Sequence, residues 1–170
     1  MASGTHQYQQ DSRNDNILIN INGQLFPRSE AKISVFDSGF ILGDGVWEGI
    51  RLHNGRLVFI DQHMRRLYDG AKALDMDIGL STSQLVERIK STCDANQMFD
   101  GVHIRLMVTR GEIIGPPWKF SGPPSIYITI RPLTEEPKKP VKVVFYPEEK
   151  YPIIRFNPAI KSLNYIGNML

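Results

Sequence analysis

The stretch VWEGIRLHNGRLVFIDQHMRRLYDGAKALDM (46–76) decides the fold of this chain, because a strand pair runs directly into a helix. Residues 46–60 turn at Asn54-Gly55, a dipeptide that tolerates positive φ at both turn positions, and they predict a β-hairpin. Residues 61–76 predict a helix, since their apolar residues recur at three- and four-residue steps. These residues are Met64, Leu67, Ala71 and Leu74.

The segments on either side extend this mixed pattern. Residues 17–26 alternate around Asn22-Gly23 and predict a first hairpin, and residues 102–110 and 125–131 predict two further strands. Ser81 with Gln84 three residues later predicts a capping box, which opens a second helix that ends near residue 96. The connector 36–46 contains three glycines, which suggest tight backbone near something bulky.

The chain divides into four parts at the sequence level. Residues 1–16 are almost free of apolar side chains and predict a disordered tail, 17–133 form a small N-terminal domain, and 134–140 form a stiff, charged linker. Residues 141–170 contain one predicted strand, 141–146, and a segment, 159–170, that predicts the start of a helix. Thirty residues are too few for a core of their own, so we expect the chain to end where a larger domain continues.

Composition restricts the classes of function. The chain has 170 residues, 41% of them hydrophobic, and a net charge of +2, so charge gives no reason to propose nucleic acid or a membrane surface as a partner. The single cysteine, Cys93, excludes an internal disulfide and a multi-cysteine metal cluster, and its helical context predicts a buried or half-buried thiol. No apolar run reaches membrane-spanning length. We expect a soluble cytoplasmic protein without a metal.

Four motifs occur in an order that resembles a known family. They are GDGVWEGIRLHNG (43–55), HMRRLYDGAKAL (63–74), VHIRLMVTRG (102–111) and IKSLNYIG (160–167). The chain resembles the fold-type IV, or class IV, pyridoxal-phosphate-dependent aminotransferases, in particular the branched-chain and D-amino-acid enzymes. The likeness runs from about residue 17 to the end. It implies an α/β (α+β) fold: a small domain of antiparallel strands with two helices, then the opening of a larger β-rich domain.

The resemblance implies that Lys161 carries the cofactor, pyridoxal 5′-phosphate. Such an enzyme needs a neutral amine that bonds the cofactor aldehyde and later moves a proton at the substrate Cα. Burial and nearby cations lower the pKa of a lysine and make that form accessible. By the same resemblance Arg66 binds the cofactor phosphate, because arginine offers a planar, permanently charged pair of donors. Tyr165 would lie near the phenolic oxygen of the cofactor ring.

Three further residues are candidates for the substrate side. In relatives the position of Trp47 lines the pocket, Arg105 resembles an arginine of branched-chain enzymes, and Arg110 matches a carboxylate-binding arginine of D-amino-acid enzymes. The period of a strand puts Arg105 and Arg110 on opposite faces, so both serve one site only where the strand bulges or curls.

The implied reaction is ping-pong transamination of an amino acid (branched-chain or D-amino acid) or a primary amine with a 2-oxo acid, in a homodimer. The motifs point to different substrates. Branched-chain enzymes are resembled by EGIR (48–51) and NY (164–165), whereas D-amino-acid enzymes are resembled by VTRG (108–111) and KSLN (161–164). Two alternatives remain: elimination of the aminodeoxychorismate lyase type, and a non-catalytic fragment or assembly module. No acidic residue follows Lys161 to pair with the pyridine nitrogen, so we expect the chain alone to be incomplete.

Overall fold

The described part of the protein forms a six-stranded sheet with helices packed against it. The computed structural model describes residues 11–113, 115–116, 122–133, 142–144, 157 and 159–164. The strands are β1 (Leu18–Ile21), β2 (Gln24–Pro27), β3 (Gly45–His53), β4 (Arg56–Leu57), β5 (Val102–Thr109) and β6 (Ser125–Pro132). The helices are α1 (Ser38–Leu42), α2 (Ile60–Ala73) and α3 (Thr82–Ala95). Every helix in these ranges is too short or too polar to span a bilayer.

The sheet is antiparallel, with the strand order β2-β1-β6-β5-β3-β4. Its centre is the set of long strands β3, β5 and β6, which pair continuously from Gly45↔Thr109 to Leu52↔Val102 and from Val102↔Pro132 to Thr109↔Ser125. The predicted mixture of antiparallel strands and helices is therefore confirmed.

Both predicted hairpin turns are present. Asn22 and Gly23 have φ of 53° and 93°, and Asn54 and Gly55 have φ of 48° and 70°, as a two-residue turn with positive φ at both positions requires. The second hairpin is shorter than the predicted 46–60, because β4 has only two residues. Phe59, with φ of 51°, then turns the chain into α2.

The helices follow the predicted amphipathic pattern, with one change of boundary. Helix α2 ends at Ala73 rather than at residue 76, because Asp75 has a left-handed φ of 52°, which does not continue a helix. Helix α3 begins with the predicted capping box: the Ser81 hydroxyl accepts a hydrogen bond from the Gln84 N–H, and the Gln84 side chain accepts one from the Ser81 N–H.

The core lies between α2, α3 and one face of the sheet. Along β3 the residues at even positions are buried against the helices, and the opposite face carries Trp47 and Gly49. The interior consists almost entirely of branched aliphatic side chains and methionines. Its largest fully buried members are Ile50, Met64, Leu67, Leu85, Ile89, Ile104, Leu106 and Ile128. Cys93 is buried among them, as predicted.

Several predictions concern the ends of the chain. Residues 1–10 lie outside the described ranges, and Ser12–Asn14, inside the predicted tail, form a 3-10 turn. The linker 134–140 is also outside. Of the predicted strand 141–146, the described residues 142–144 are not in a strand. The helix prediction for 159–170 is wrong for residues 159–164, which form a bend and a β-bridge, and residues 165–170 are not described.

Candidate active site

The segment that carries Lys161 pairs with the edge of β3. Strand β4 covers only the far end of that edge, at Leu52 and His53, and leaves the beginning open. The Trp47 N–H donates to the Lys161 carbonyl at 3.0 Å, and the Leu163 N–H donates to the Gly45 carbonyl at 2.8 Å. Unpaired backbone groups on an open strand edge favour such an addition. The pairing gives the lysine segment a defined place.

Two glycines make this close approach possible. A Cβ atom at Gly45 would lie 2.4 Å from the Val108 carbonyl oxygen and 2.7 Å from Leu163 Cδ1, closer than such atoms can approach. Gly43, with φ of 67°, ends α1 and has the backbone of Asn164 within 3.2 Å of where a Cβ would stand. The bulky neighbour that the glycines of 36–46 suggested is therefore the lysine segment itself.

Trp47 supports Lys161 with both its backbone and its ring. The Lys161 Nζ lies 3.6 Å from the centroid of the Trp47 ring, and the indole N–H donates to the Ser162 carbonyl at 3.0 Å. The Arg105 guanidinium lies over the same ring, with its Cζ at 4.6 Å from the centroid. The structure thus brings Lys161, Trp47 and Arg105 together, three of the residues that the sequence singled out.

The environment lowers the pKa of Lys161 below that of an ordinary lysine. Half-burial of the amine is the largest cause, because it disfavours the charged form. The negative charge of Glu48 opposes this shift, and the positive charges of Arg66 and Arg105 add to it. Since the lysine segment runs along the edge of the sheet, the amine is within electrostatic reach of groups on both faces.

Arg66 forms a bidentate ion pair with a buried carboxylate. Its Nε and Nη2 atoms each donate to an oxygen of Glu48 at 2.6 Å, and His63 Nδ1 lies 2.7 Å from the same carboxylate. The Glu48 side chain is completely buried, whereas that of Arg66 is 47% exposed. The ion pair raises the pKa of Arg66 further above its usual value. The guanidinium therefore stays charged, with one edge bound and the other toward solvent.

Sequence reasoning missed Glu48 and His63, although the pattern contained a signal for both. Glu48 occupies a position of β3 whose neighbours on the same face, Val46 and Ile50, are buried. A carboxylate at such a position needs partners, because an unpaired buried charge is strongly unfavourable. His63 and Arg66, one turn apart on the helix that follows, were the available basic residues.

Arg110 lies elsewhere. Its Nε donates to Asp44 at 2.8 Å and its Nη1 donates to the Asp75 carbonyl at 2.7 Å, just beyond the end of α2. These contacts tie the loop before β3 to the end of the helix, on the other face from Arg105, as the strand period predicted. The substrate role predicted for Arg110 stays a prediction, and the structure does not bring it to Lys161. Tyr165 lies outside the described residues.

The donor set fits a phosphorylated aldehyde cofactor. The amine of Lys161 is half-buried, which lowers its pKa, and it rests on a flat aromatic ring. The exposed edge of Arg66 offers charged N–H donors to a phosphate. Lys161, Arg66 and Trp47 are the residues that would hold such a group.

Curated relatives agree with the resemblance. The chain is 37% identical over 156 residues to a Methanocaldococcus jannaschii protein named "Putative branched-chain-amino-acid aminotransferase", a match that covers 89% of this chain and 53% of the relative. It is 42% identical over 91 residues to the D-alanine aminotransferase of Bacillus licheniformis, over 54% of this chain and 32% of the relative. The chain thus spans about half the length of the archaeal relative.

Solved structures show the same fold. The T.th. branched-chain amino acid aminotransferase with pyridoxamine 5′-phosphate matches with a TM-score of 0.61 and 28% identity, over 71% of this chain and 42% of that one. The 4-amino-4-deoxychorismate lyase of Pseudomonas aeruginosa matches with a TM-score of 0.62 and 26% identity, over 89% of this chain and 54% of that one.

The family model described as "Amino-transferase class IV" matches residues 45–170, which is most of the chain. This match confirms the predicted family, and with it, at the level of the family, the predicted cofactor. The matched region begins at the first residue of β3 and includes every candidate site residue. The chain belongs to the class IV aminotransferase family.

Proposed function

We propose that the protein is a pyridoxal-phosphate-dependent aminotransferase that moves an amino group from an amino acid or primary amine to a 2-oxo acid by a ping-pong reaction. One observation carries the proposal: the half-buried amine of Lys161 rests on Trp47 within electrostatic range of the half-exposed guanidinium of Arg66. The activity of the whole protein is part of this proposal, because the chain spans only about half of the archaeal relative.

Each residue has a distinct task in this reaction. When bound, pyridoxal phosphate supplies an aldehyde and an electron-withdrawing ring that stabilises negative charge at the substrate Cα. Lys161 would hold this cofactor through its amine, and the same amine would move the proton at the substrate Cα. Its lowered pKa increases the neutral fraction that both steps need. Arg66 would bind the phosphate, and by resemblance Tyr165 would hydrogen-bond the ring.

In this proposal the substrate binds at the sheet face that carries Trp47 and Arg105. Trp47 shapes the pocket, and Arg105 binds the substrate carboxylate, since its guanidinium lies over the ring that also holds Lys161. Arg110 is the weaker candidate for that role, because its guanidinium is engaged with Asp44 and the end of α2. Relatives named for branched-chain and for D-amino acids both match, so the proposal includes both classes of donor.

A homodimer and a cytoplasmic location complete the proposal. The segment 33–42 exposes a run of large apolar side chains: Ile33, Val35, Phe36, Phe40, Ile41 and Leu42. Contiguous apolar surface of this kind marks interaction sites. The only charged side chain within 33–42, Asp37, is buried and hydrogen-bonded to Thr109 and Tyr127. An apolar surface without charge is complementary to a second copy of itself, as a two-fold interface requires.

Borohydride reduction tests the assignment of Lys161. Protein incubated with pyridoxal phosphate and then reduced should carry a phosphopyridoxyl group on Lys161 after peptide mapping. Lys161→Ala should prevent this labelling. The control variant Lys142→Ala, which replaces an exposed lysine, should leave the label on Lys161. A specific adduct on any other lysine of the unaltered chain would refute the assignment.

One comparison favours a second candidate function. The lyase from Pseudomonas aeruginosa covers a larger share of this chain than the T.th. aminotransferase does. The same lysine can serve elimination of pyruvate from aminodeoxychorismate. Release of 4-aminobenzoate from that substrate, without amino transfer to a 2-oxo acid, would decide for the lyase.

A further inference from the structure

The carboxylate of Glu48 is the central acceptor of a small buried network. It accepts from Arg66 Nε and Nη2 at 2.6 Å each and lies 2.7 Å from His63 Nδ1. Arg66 Nη2 also lies 3.3 Å from His63 Nδ1. The carboxylate comes from the middle of β3, and both basic side chains come from the first two turns of α2. The network therefore fixes the helix side chains relative to the strand next to Lys161.

Stability alone does not account for a carboxylate at this position. Its neighbours on the same face, Val46 and Ile50, are buried and apolar, and an apolar residue between them would continue the core. A buried ion pair is often no more stabilising than a well-packed apolar replacement, since both charges lose their hydration. Here the arginine is also half-exposed, which limits what the pair contributes. The arrangement is explained better by what it does to Arg66.

The ion pair leaves one edge of the guanidinium available. Glu48 occupies Nε and one hydrogen of Nη2. His63 Nδ1 cannot accept the second Nη2 hydrogen, because it donates its own hydrogen to the Glu48 carboxylate. Nη1 has no hydrogen-bond partner among the residues that the structure describes. The edge formed by Nη1 and the second Nη2 hydrogen matches two oxygens of a phosphate. An exposed arginine normally samples many rotamers, and the loss of that freedom on binding weakens affinity. A side chain that is already fixed avoids this loss.

We propose that Glu48 is a positioning residue of the cofactor site: together with His63 it holds Arg66 in the orientation in which the outer edge of its guanidinium binds the cofactor phosphate. This inference rests on the proposed function. It assigns a role to two residues, Glu48 and His63, that do not themselves contact the cofactor.

The proposal is testable, because Glu48→Gln should have opposite effects on phosphate binding in two cases. The sign depends on whether Glu48 acts through its charge or by orienting Arg66. Removal of a negative charge near the phosphate would strengthen phosphate binding if only electrostatics mattered. Loss of the bidentate contact that orients Arg66 would weaken it. The test compares the affinities for pyridoxamine 5′-phosphate and for pyridoxamine by calorimetry, since neither compound has an aldehyde that reacts with surface lysines.

If Glu48 positions Arg66, Glu48→Gln should weaken the binding of pyridoxamine 5′-phosphate by about tenfold, the effect expected when a charged hydrogen-bond partner is lost. The affinity for pyridoxamine should not change. Arg66→Gln should weaken the phosphorylated compound by at least as much. The double variant should bind like Arg66→Gln alone, because Glu48 acts through that arginine. The neighbouring exposed arginine gives the control: Arg65→Gln should have no effect.

Three results would overturn the inference: tighter or unchanged phosphate binding in Glu48→Gln, an equal loss for both compounds, or an additive loss in the double variant. If Glu48→Gln does not fold, His63→Gln and Glu48→Asp provide the test instead. Each should weaken the binding of pyridoxamine 5′-phosphate and leave the binding of pyridoxamine unchanged. A wild-type chain that binds neither compound would contradict the proposed function itself. Normal binding with no effect of Glu48 would contradict this inference alone.

Discussion

At the scale of single residues, the pKa of Lys161 is the property on which the chemistry depends. Burial lowers it most, Arg66 and Arg105 lower it further, and Glu48 opposes them. At a given pH, a lower pKa gives Lys161 a larger neutral fraction than an ordinary lysine has. In cofactor-free protein the amine should therefore react with acetic anhydride at lower pH than the exposed Lys142, when each peptide is followed by mass spectrometry.

Arg105→Gln tests the cause of that shift. Removal of a cation that lowers the pKa should raise the pKa of Lys161, so its labelling curve should move to higher pH. Arg51→Gln is the matched control, because Arg51 lies on the same sheet face but does not contribute to the shift. An unchanged curve in Arg105→Gln, or an equal change in both variants, would show that Arg105 makes no specific contribution to the pKa of Lys161.

Cys93 should be inert in the native protein. Burial raises the pKa of its thiol to about 11, so the reactive thiolate is rare at pH 8. We expect no reaction with Ellman's reagent at pH 8 until the protein is unfolded in urea, after which one thiol per chain should react. Rapid reaction without denaturant would show that the packing around Cys93 opens in the native state.

At the scale of elements, the capping box of α3 has a measurable value. Ser81→Ala removes the side-chain acceptor for the Gln84 N–H and should lower the free energy of unfolding by about 1 kcal/mol, as measured in urea. Ser91→Ala is the control on the same helix, since its hydroxyl only donates back to the Arg88 carbonyl, and should change stability by less than about 0.5 kcal/mol. Equal effects would mean that the cap contributes nothing particular.

Local sequence patterns predicted most elements but not the place of the lysine segment. The turns at Asn22 and Asn54 and the cap at Ser81 depend on neighbouring residues only, so the sequence reveals them. Residues 161–163 follow a pattern typical of the start of a helix, yet their backbone groups bond the open edge of β3. That edge is open because β4 is short, a long-range fact that no local periodicity contains.

The residues of the candidate site also differ in how far the sequence predicts them. Resemblance supplied Lys161 and Arg66, and the strand period placed Arg105 and Arg110 on opposite faces. The alternation of β3 signals that Glu48 is buried and needs basic partners, but which side chains bind it is fixed only when α2 packs on the sheet. Arg110 was assigned to the substrate from its motif, whereas its contacts with Asp44 and the end of α2 depend on the loop geometry before β3.

At the scale of the whole molecule, the two faces of the sheet have different tasks. Among the described residues, the face against α2 and α3 is an ordinary apolar core with a charged network at Glu48. The other face carries Trp47 and Arg105 and meets Lys161 at the sheet edge. Arg66 pairs with Glu48 on the core side, and its positive charge contributes to the lowered pKa of Lys161. The edge of β3, rather than either face, is thus the place where the candidate site assembles.

The exposed segment 33–42 adds a test of assembly. If a second copy covers it, the paired changes Phe36→Ser and Phe40→Ser should shift the protein from dimer to monomer in sedimentation equilibrium, because they remove the two largest exposed rings of an uncharged surface. Phe59→Ser is the matched control: its ring is as exposed but lies between β4 and α2, so it should leave the dimer intact. The variants should keep the fold of the unaltered chain, since neither ring belongs to the core. A chain that is monomeric before any change would refute the two-fold interface, and so would dissociation by Phe59→Ser alone.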